Sequence, residues 1–227
     1  MISDPFIEHI TSQYNSPAFI DEVGMGAIFG ELVACAVLIT APFENKLVDD
    51  SKKLKHEIIY RLAPELRNRV VYSYGVVKAQ EICKIRNLVT ADKLAMQRAV
   101  DGLPVRPDAL FIDGIHPIEY PCPVYTIIKG DEKVFGISVA SIIAKDYRDG
   151  FIVKHYGNDY SQYHIASNKG YRSPDHLMAL RIHGVTALHR SYMPQIKRII
   201  SGEYDRIFQN KYSDRWFALR KKVLATY

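Results

Sequence analysis

Eight consecutive apolar residues, Leu32 to Ile39 (LVACAVLI), constrain this chain more than anything else in it. The run is rich in branched side chains, holds neither Gly nor Pro, and reads as a strand buried on both faces. A strand of that kind needs a sheet with structure packed on each side. Even extended to Thr40 the run falls short of the ~18 residues of a membrane span, and no longer apolar run exists. The 227 residues suffice for one domain, or a domain with an appendage, whose core needs no disulfide or structural metal. With 48% hydrophobic and 24% charged residues, disorder, collagen and small disulfide scaffolds are excluded.

The flanking patterns supply the rest of the sheet. Phe6, Ile7, Ile10 and Tyr14 are spaced for a short amphipathic helix ending before Asn15-Ser16-Pro17. Ala18 to Asp21 is a short apolar stretch that runs into acids and then Gly24-Met25-Gly26. Asp49-Asp50-Ser51 can cap a helix carrying Leu54, Ile58, Ile59 and Leu62 that ends around Pro64. Val70 to Val77, Ala109 to Asp113 and Val124 to Ile128 read as strands. The pattern turns helical from Ala79; Thr90 caps a helix reaching Asp101-Gly102, and Ser138 to Tyr156 is a long helix. Ser173-Pro174-Asp175 is a helix start, and the tail from Glu203 is helical with Ile207, Trp216, Leu219 and Val223 on one side. The expected architecture is α/β, a mixed sheet flanked by helices, with domain 1–195 and a helical extension 196–227 packed on it.

Acids stand at the ends of the apolar strands: Asp21 and Glu22, then Asp113 before Gly114, then Asp131 in Lys129-Gly130-Asp131. A carboxylate there is costly unless it is paired, hydrogen-bonded or bound to a cation. Converging at one sheet edge, these acids would form a hard-oxygen site suited to Mg²⁺ or Mn²⁺, although acids that cap helices or bind local amides are commoner. Neighbouring strand residues face opposite ways, so Asp21 and Glu22 are expected to share a site only if the chain turns at once. Gly24-Met25-Gly26 allows that turn, or brings backbone amides to a phosphate. Lys52 and Lys53 stand at a helix start that suits an anion or is simply a capped surface helix. His116 follows Asp113 by three and is either a ligand or a loop imidazole. No zinc spacing, GxSxG or Walker motif occurs. Tyr171 sits between Lys169 and Arg172, an arrangement common where nucleic acid stacks.

Net charge is +5 with a pI near 9.0, compatible with a polyanionic partner. Basic residues crowd Asp205 to Lys222, which is either a nucleic-acid footprint or a solvated helix face. Met1 to Ser16 carries acids and no apolar core, so no signal peptide is expected. Cys35, Cys83 and Cys122 form no CxxC pair, so a reducing, cytoplasmic setting is expected. A monomer is expected as well.

Taken in order, the motifs resemble type 2 ribonuclease H (ribonuclease HII). Phe19-Ile20-Asp21-Glu22-Val23-Gly24-Met25-Gly26 and Asp50-Ser51-Lys52-Lys53-Leu54 look like its opening. Asn87-Leu88 to Val100, Ile112-Asp113-Gly114, Lys129-Gly130-Asp131, and Ser138 to Asp149 follow its middle. Gly170-Tyr171, His176-Leu177 and His189-Arg190-Ser191-Tyr192 match the C-terminal part of its bacterial members. The resemblance implies a ribonuclease H-like fold. It also implies metal-dependent endonucleolytic cleavage of RNA in RNA–DNA hybrids and of ribonucleotides embedded in duplex DNA, as in ribonucleotide excision repair and DNA replication. Asp21, Glu22, Asp113 and Asp131 match the catalytic carboxylates that hold two divalent ions, with in-line displacement leaving 5′-phosphate and 3′-hydroxyl ends. Tyr171 matches the tyrosine packing on the sugar at the ribonucleotide junction, Gly24 to Gly26 the loop that reads the 2′-hydroxyl, and Lys52 a phosphate contact.

Two positions depart from that pattern. Met25 stands where the family loop carries arginine and cannot make a charge-assisted phosphate contact. Glu31 stands where proline is usual and is expected to add an acid near the entrance. Asp21-Glu22-Val23-Gly24 with Phe29-Gly30 looks closer to type 3 ribonuclease H, which cleaves hybrids without strong junction preference. The type 3 N-terminal domain is not expected in the short stretch before Asp21. A nucleic-acid-binding module without turnover and another ribonuclease H-fold nuclease are the other readings.

Overall fold

The computed structural model describes residues 5–41, 43, 45, 48 and 56–201. Five strands form one sheet: β1 (Pro17–Val23), β2 (Leu32–Leu38), β3 (Val71–Val77), β4 (Ala109–Asp113) and β5 (Val124–Ile127). Their order is β3-β2-β1-β4-β5. β2 runs antiparallel to both β1 and β3, whereas β4 lies parallel to β1 and to β5. The helices are α1 (Pro5–Thr11), α2 (His56–Arg67), α3 (Ala79–Ile85), α4 (Leu88–Asp101), α5 (Gly130–Lys133), α6 (Phe135–Tyr156), α7 (Ile165–Asn168), α8 (Pro174–His183) and α9 (Pro194–Ile200). The mixed sheet flanked by helices is the expected one. No helix among the described residues is long and apolar enough to cross a membrane.

Every residue of β2 is buried, as its composition requires, because both faces of the sheet are covered. On one face, Phe19, Cys35, Val37, Ala109 and Phe111 join Ile59, Leu62 and Leu66 of α2 and Ile137, Ala140 and Ile143 of α6 in one apolar core. Tyr74 of β3 stacks on Tyr147 of α6 at 4.1 Å on this side. The opposite face carries α4. Register settles which residues point there: Glu22 pairs with Ala34, and Ala34 with Gly75. A side chain at Gly75 would collide with the backbone of Ala95 and Ala99, so a glycine lets α4 lie directly on the sheet. Asp21 pairs with Cys35, and Cys35 with Tyr74, so Asp21 belongs to the α6 face.

Contacts divide the chain into two units. The first holds the sheet: residues up to Met25, Leu32–Val77 and Leu88–Arg148. The second takes Gly26–Glu31, Lys78–Asn87 and the chain from Asp149 on. In the second unit Phe29 meets Tyr156, Tyr160, His176 and His189 edge to face, with centroids 4.9 to 6.2 Å apart. Fully buried Arg190 donates to the carbonyls of Ala27 at 2.8 Å and Gly30 at 3.1 Å. It thereby satisfies acceptors in a segment that belongs to no regular strand.

Several boundaries differ from expectation. α2 does not stop at Pro64 but runs through it to Arg67. Pro64 is exposed while Leu62, Ala63 and Leu66 are buried, so its missing amide falls on the solvent side and the apolar face holds the helix. Thr90 is not a cap, because α4 already begins at Leu88. β1 continues past Asp21 to Val23, since its pairing with β2 extends to Val23↔Val33. α6 begins at Phe135, earlier than Ser138. α8 starts as expected, with the Ser173 hydroxyl accepting from the amide of His176 at 3.1 Å and Pro174 in the first turn. The cap at Asp49-Asp50-Ser51 and the helix from Glu203 lie outside the described residues.

Candidate active site

The parallel pairing of β1 with β4 matches Ile20 to Ile112, so the next residue along each strand is Asp21 and Asp113. In-register neighbours on parallel strands point to one face, which brings these two acids together at the carboxyl end of the sheet. A carboxylate oxygen from each of Asp21, Glu22 and Asp113 lies within 4.8 Å of the others. Glu22 joins them although β1 makes no turn there. The Asp21 carboxylate bends along the strand to accept the amide of Glu22 at 2.8 Å. The longer Glu22 side chain comes round from the α4 face, so a turn at once was not needed.

Each acid has its own support. Gly130 donates its amide to Asp113 Oδ1 at 2.5 Å. Asp131, in the first turn of α5, is buried and repels Asp21, though it stands outside the three-oxygen cluster. Ser141 of α6 hydrogen-bonds Asp21. Burial first, then repulsion from Glu22 and Asp113, pushes the Asp21 carboxyl well above the usual carboxylate range. Burial, then Asp92 and Asp113, pushes Glu22 up to about 8. Burial, then Asp21 and Asp113, pushes Asp92 up to about 7. Such crowded, desolvated carboxylates concentrate negative charge, and hard oxygen donors at this spacing fit a divalent cation.

Asp92 is the residue that reading for motifs missed. It shares the face of α4 with Ala95, Met96 and Ala99, at spacings of three, four and seven, and all are buried. An acid on the small-residue face of a helix is the signal that could have found it. Ser141 carried no such signal, because a neutral hydroxyl in a helix that also holds Ser138 does not stand out.

The remaining candidates are distributed. Gly24 is buried with φ 98°, Met25 is half-buried and Gly26 exposed. Tyr171, in the second unit, bridges Ala27, while the amides of Ile28 and Phe29 both donate to the carbonyl of Gly170. Lys52 lies outside the described residues. His116 is half-buried and is no member of the acidic cluster. Glu31 does not open to solvent: it is buried in the second unit, where the Tyr156 hydroxyl donates to its Oε1 at 2.8 Å.

Known proteins resemble the chain in both sequence and fold. The family model for ribonuclease HII matches residues 18–199. A ribonuclease HII of Parabacteroides distasonis is 41% identical over 172 residues, covering 75% of this chain and 85% of the relative. One from Bacteroides fragilis is 42% identical over the same length and coverage. Among solved structures, ribonuclease H2 of Pyrococcus horikoshii superimposes with a TM-score of 0.68 at 23% identity, over 83% of this chain and 98% of that one. Bst ribonuclease HIII in complex with Mn²⁺ gives 0.60 at 20% identity, over 82% of this chain and 69% of that one. These two likenesses speak to the fold, and the match over residues 18–199 speaks to descent: the chain belongs to the ribonuclease HII family and is a ribonuclease H, an endonuclease of RNA–DNA hybrids.

Proposed function

We propose that this chain hydrolyses the RNA strand of RNA–DNA hybrids and also incises ribonucleotides embedded in duplex DNA, leaving 5′-phosphate and 3′-hydroxyl ends. The observation that carries the proposal is the cluster of Asp21, Glu22 and Asp113 oxygens within 4.8 Å at the carboxyl end of β1 and β4. Asp21, Glu22 and Asp113 would hold Mg²⁺ or Mn²⁺, with Asp131 contributing from α5. When bound, such ions activate water and stabilise the leaving oxygen of a phosphodiester.

The chain's own groups do the orienting. The amide of Glu22 and the hydroxyl of Ser141 hold the Asp21 carboxylate in one rotamer, and the amide of Gly130 does the same for Asp113. Tyr171 offers its ring to the sugar at the junction. Its backbone is held by the bridge to Ala27 and by His176, whose Nδ1 lies 2.9 Å from the Tyr171 carbonyl. Backbone groups of Gly24 to Gly26 read the 2′-hydroxyl, the feature that separates RNA from DNA.

A second reading, hybrid cleavage without junction preference, is favoured by Met25, which supplies no cation for a phosphate. One labelled duplex with a single embedded ribonucleotide, run beside one with a continuous RNA strand in Mg²⁺ and then Mn²⁺, separates the two. Incision 5′ to the lone ribonucleotide supports junction reading and a repair role. Cleavage of the continuous hybrid alone supports the second reading, and binding with no cleavage under either ion would overturn both.

A further inference from the structure

Asp92 has no part in the reading above, yet its placement ties it to the same chemistry. Glu22, Ala34 and Gly75 form one cross-strand row on the face that carries α4. Gly75 lies directly beneath Ala95 and Ala99. Asp92 precedes Ala95 by three residues, nearly one turn along the same buried face of α4. It therefore stands on the Glu22 side of β1, opposite the face from which Asp21 is supported by Ser141. The two acids repel each other, and Asp92 also feels Asp21 and Asp113. Asp92 is only 4% exposed, and its Oδ1 is buried with no hydrogen-bond partner among the described residues.

A buried acceptor without a donor, beside three other carboxylates, is unfavourable unless something supplies positive charge and hydrogen bonds. Core packing gives no reason for it, since the neighbouring positions on that face are Ala91, Ala95, Met96 and Ala99. A cation with its hydration shell provides both a compensating charge and a donor for Asp92 Oδ1.

We propose that Asp92 is a fifth carboxylate of the cation site, a positioning residue lying outside the three-oxygen cluster that lends charge and an acceptor to a divalent ion from the α4 side. The proposal rests on the reading of Asp21, Glu22 and Asp113 as cation ligands. Asp92 lies beyond the set whose oxygens fall within 4.8 Å, so it acts on how tightly the ion is held rather than on the scissile phosphate.

The test is calorimetric titration of the full chain with Mn²⁺ in the absence of nucleic acid, with thermal unfolding in chelator as a second readout. Asp92→Asn keeps the shape and removes the charge, and the expected result is Mn²⁺ affinity weakened about tenfold, the range for outer partners of metal ligands. Its melting temperature in chelator should equal or exceed that of the parent, because a repelling charge has gone. Asp92→Ser is made alongside, so that a folding failure of one variant leaves the other to decide. Unchanged Mn²⁺ affinity in a folded Asp92 variant, with binding lost in Asp21→Asn, overturns the Asp92 proposal alone. Unchanged affinity in both variants overturns the underlying reading of the cation site. A lower melting temperature in chelator with intact Mn²⁺ affinity would make Asp92 a structural residue and likewise overturn the proposal.

Discussion

The backbone amide of Gly130 donates to Oδ1 of Asp113 at 2.5 Å, tying the first residue of α5 to the last residue of β4. The bond depends on a close approach that the missing side chain of a glycine eases. A side chain at Gly130 would meet Ile137 Cδ1 at 2.7 Å and Asp113 Oδ1 at 3.2 Å.

Gly130→Ala should therefore displace the Asp113 carboxylate more than it disturbs the core. Hybrid cleavage is expected to drop, by less than the ~100-fold cost of a full ångström of misplacement, because the carboxylate need give only a few tenths of an ångström. Steady-state rates beside a thermal unfolding curve check this; a large loss of melting temperature with normal turnover would contradict it.

Asp21→Asn should lower cleavage by more than the ~100-fold that loss of an outer partner costs, while hybrid binding persists. The substitution removes charge from the cluster without changing its shape. Fluorescence anisotropy with a labelled hybrid measures binding, and retained activity would take Asp21 out of the site.

The acid cluster sets a pH dependence of stability with a definite sign. Glu22 and Asp92 titrate near 8 and 7 instead of 4.5 and 3.8. Between those values the native protein keeps protons that the unfolded chain has released. Their contribution to stability is intact below the unfolded values and is lost as pH rises through about 7 to 8. Unfolding in chelator should show stability falling over that window, with added Mn²⁺ reversing the slope and Glu22→Gln flattening it. An identical pH profile with and without the ion would refute this.

The histidine pair of the second unit works in the opposite direction. His189 Nδ1 accepts from the Thr186 amide at 3.0 Å, so its proton sits on Nε2, 3.1 Å from Nε2 of His176. His176 then carries its proton on Nδ1 and donates to the Tyr171 carbonyl. Burial, the largest cause for each, lowers His176 to about 4 and His189 to about 3, from 6.5. The unfolded chain takes up protons first on acidification, so this contribution is present above 6.5 and is lost as pH falls toward those values. Hydrogen exchange at the Ile28 and Tyr171 amides, which donate to the carbonyls of Gly170 and Asn168, corrected for intrinsic rates, should show protection declining from about pH 6.5 to 4. Constant protection would count against the neutral pair.

Met25→Arg should raise incision at a single embedded ribonucleotide relative to a continuous hybrid, by up to about tenfold for one added charge-assisted bond. The ratio of the two rates is the measurement. No change would mean that the backbone of Gly24 to Gly26 suffices.

Much of the architecture could be read along the chain because burial patterns are local. The fully apolar Leu32–Leu38 strand, the ALFID strand ending at Asp113 and the Ser173-Pro174 start of α8 each follow from a few adjacent residues. Pro64 departs from its local pattern for the converse reason: whether a helix tolerates proline depends on which side faces solvent, and distant packing decides that.

The sequence by itself determined the mixed α/β class, the acids at the strand ends and the family, since composition, periodicity and ordered motifs are properties of the chain alone. Only the tertiary structure decided that Asp21 and Glu22 meet across the two faces of an unbroken strand, with Asp113 beside them. The same holds for Asp92, more than sixty positions from Glu22 in the chain, which became its neighbour because Gly75 lets α4 lie flat on the sheet. Strand register and helix packing join residues far apart in the chain. Electrostatic repulsion acts over ångströms in space, so spacing along α4 marks Asp92 as buried but does not say which acids it faces.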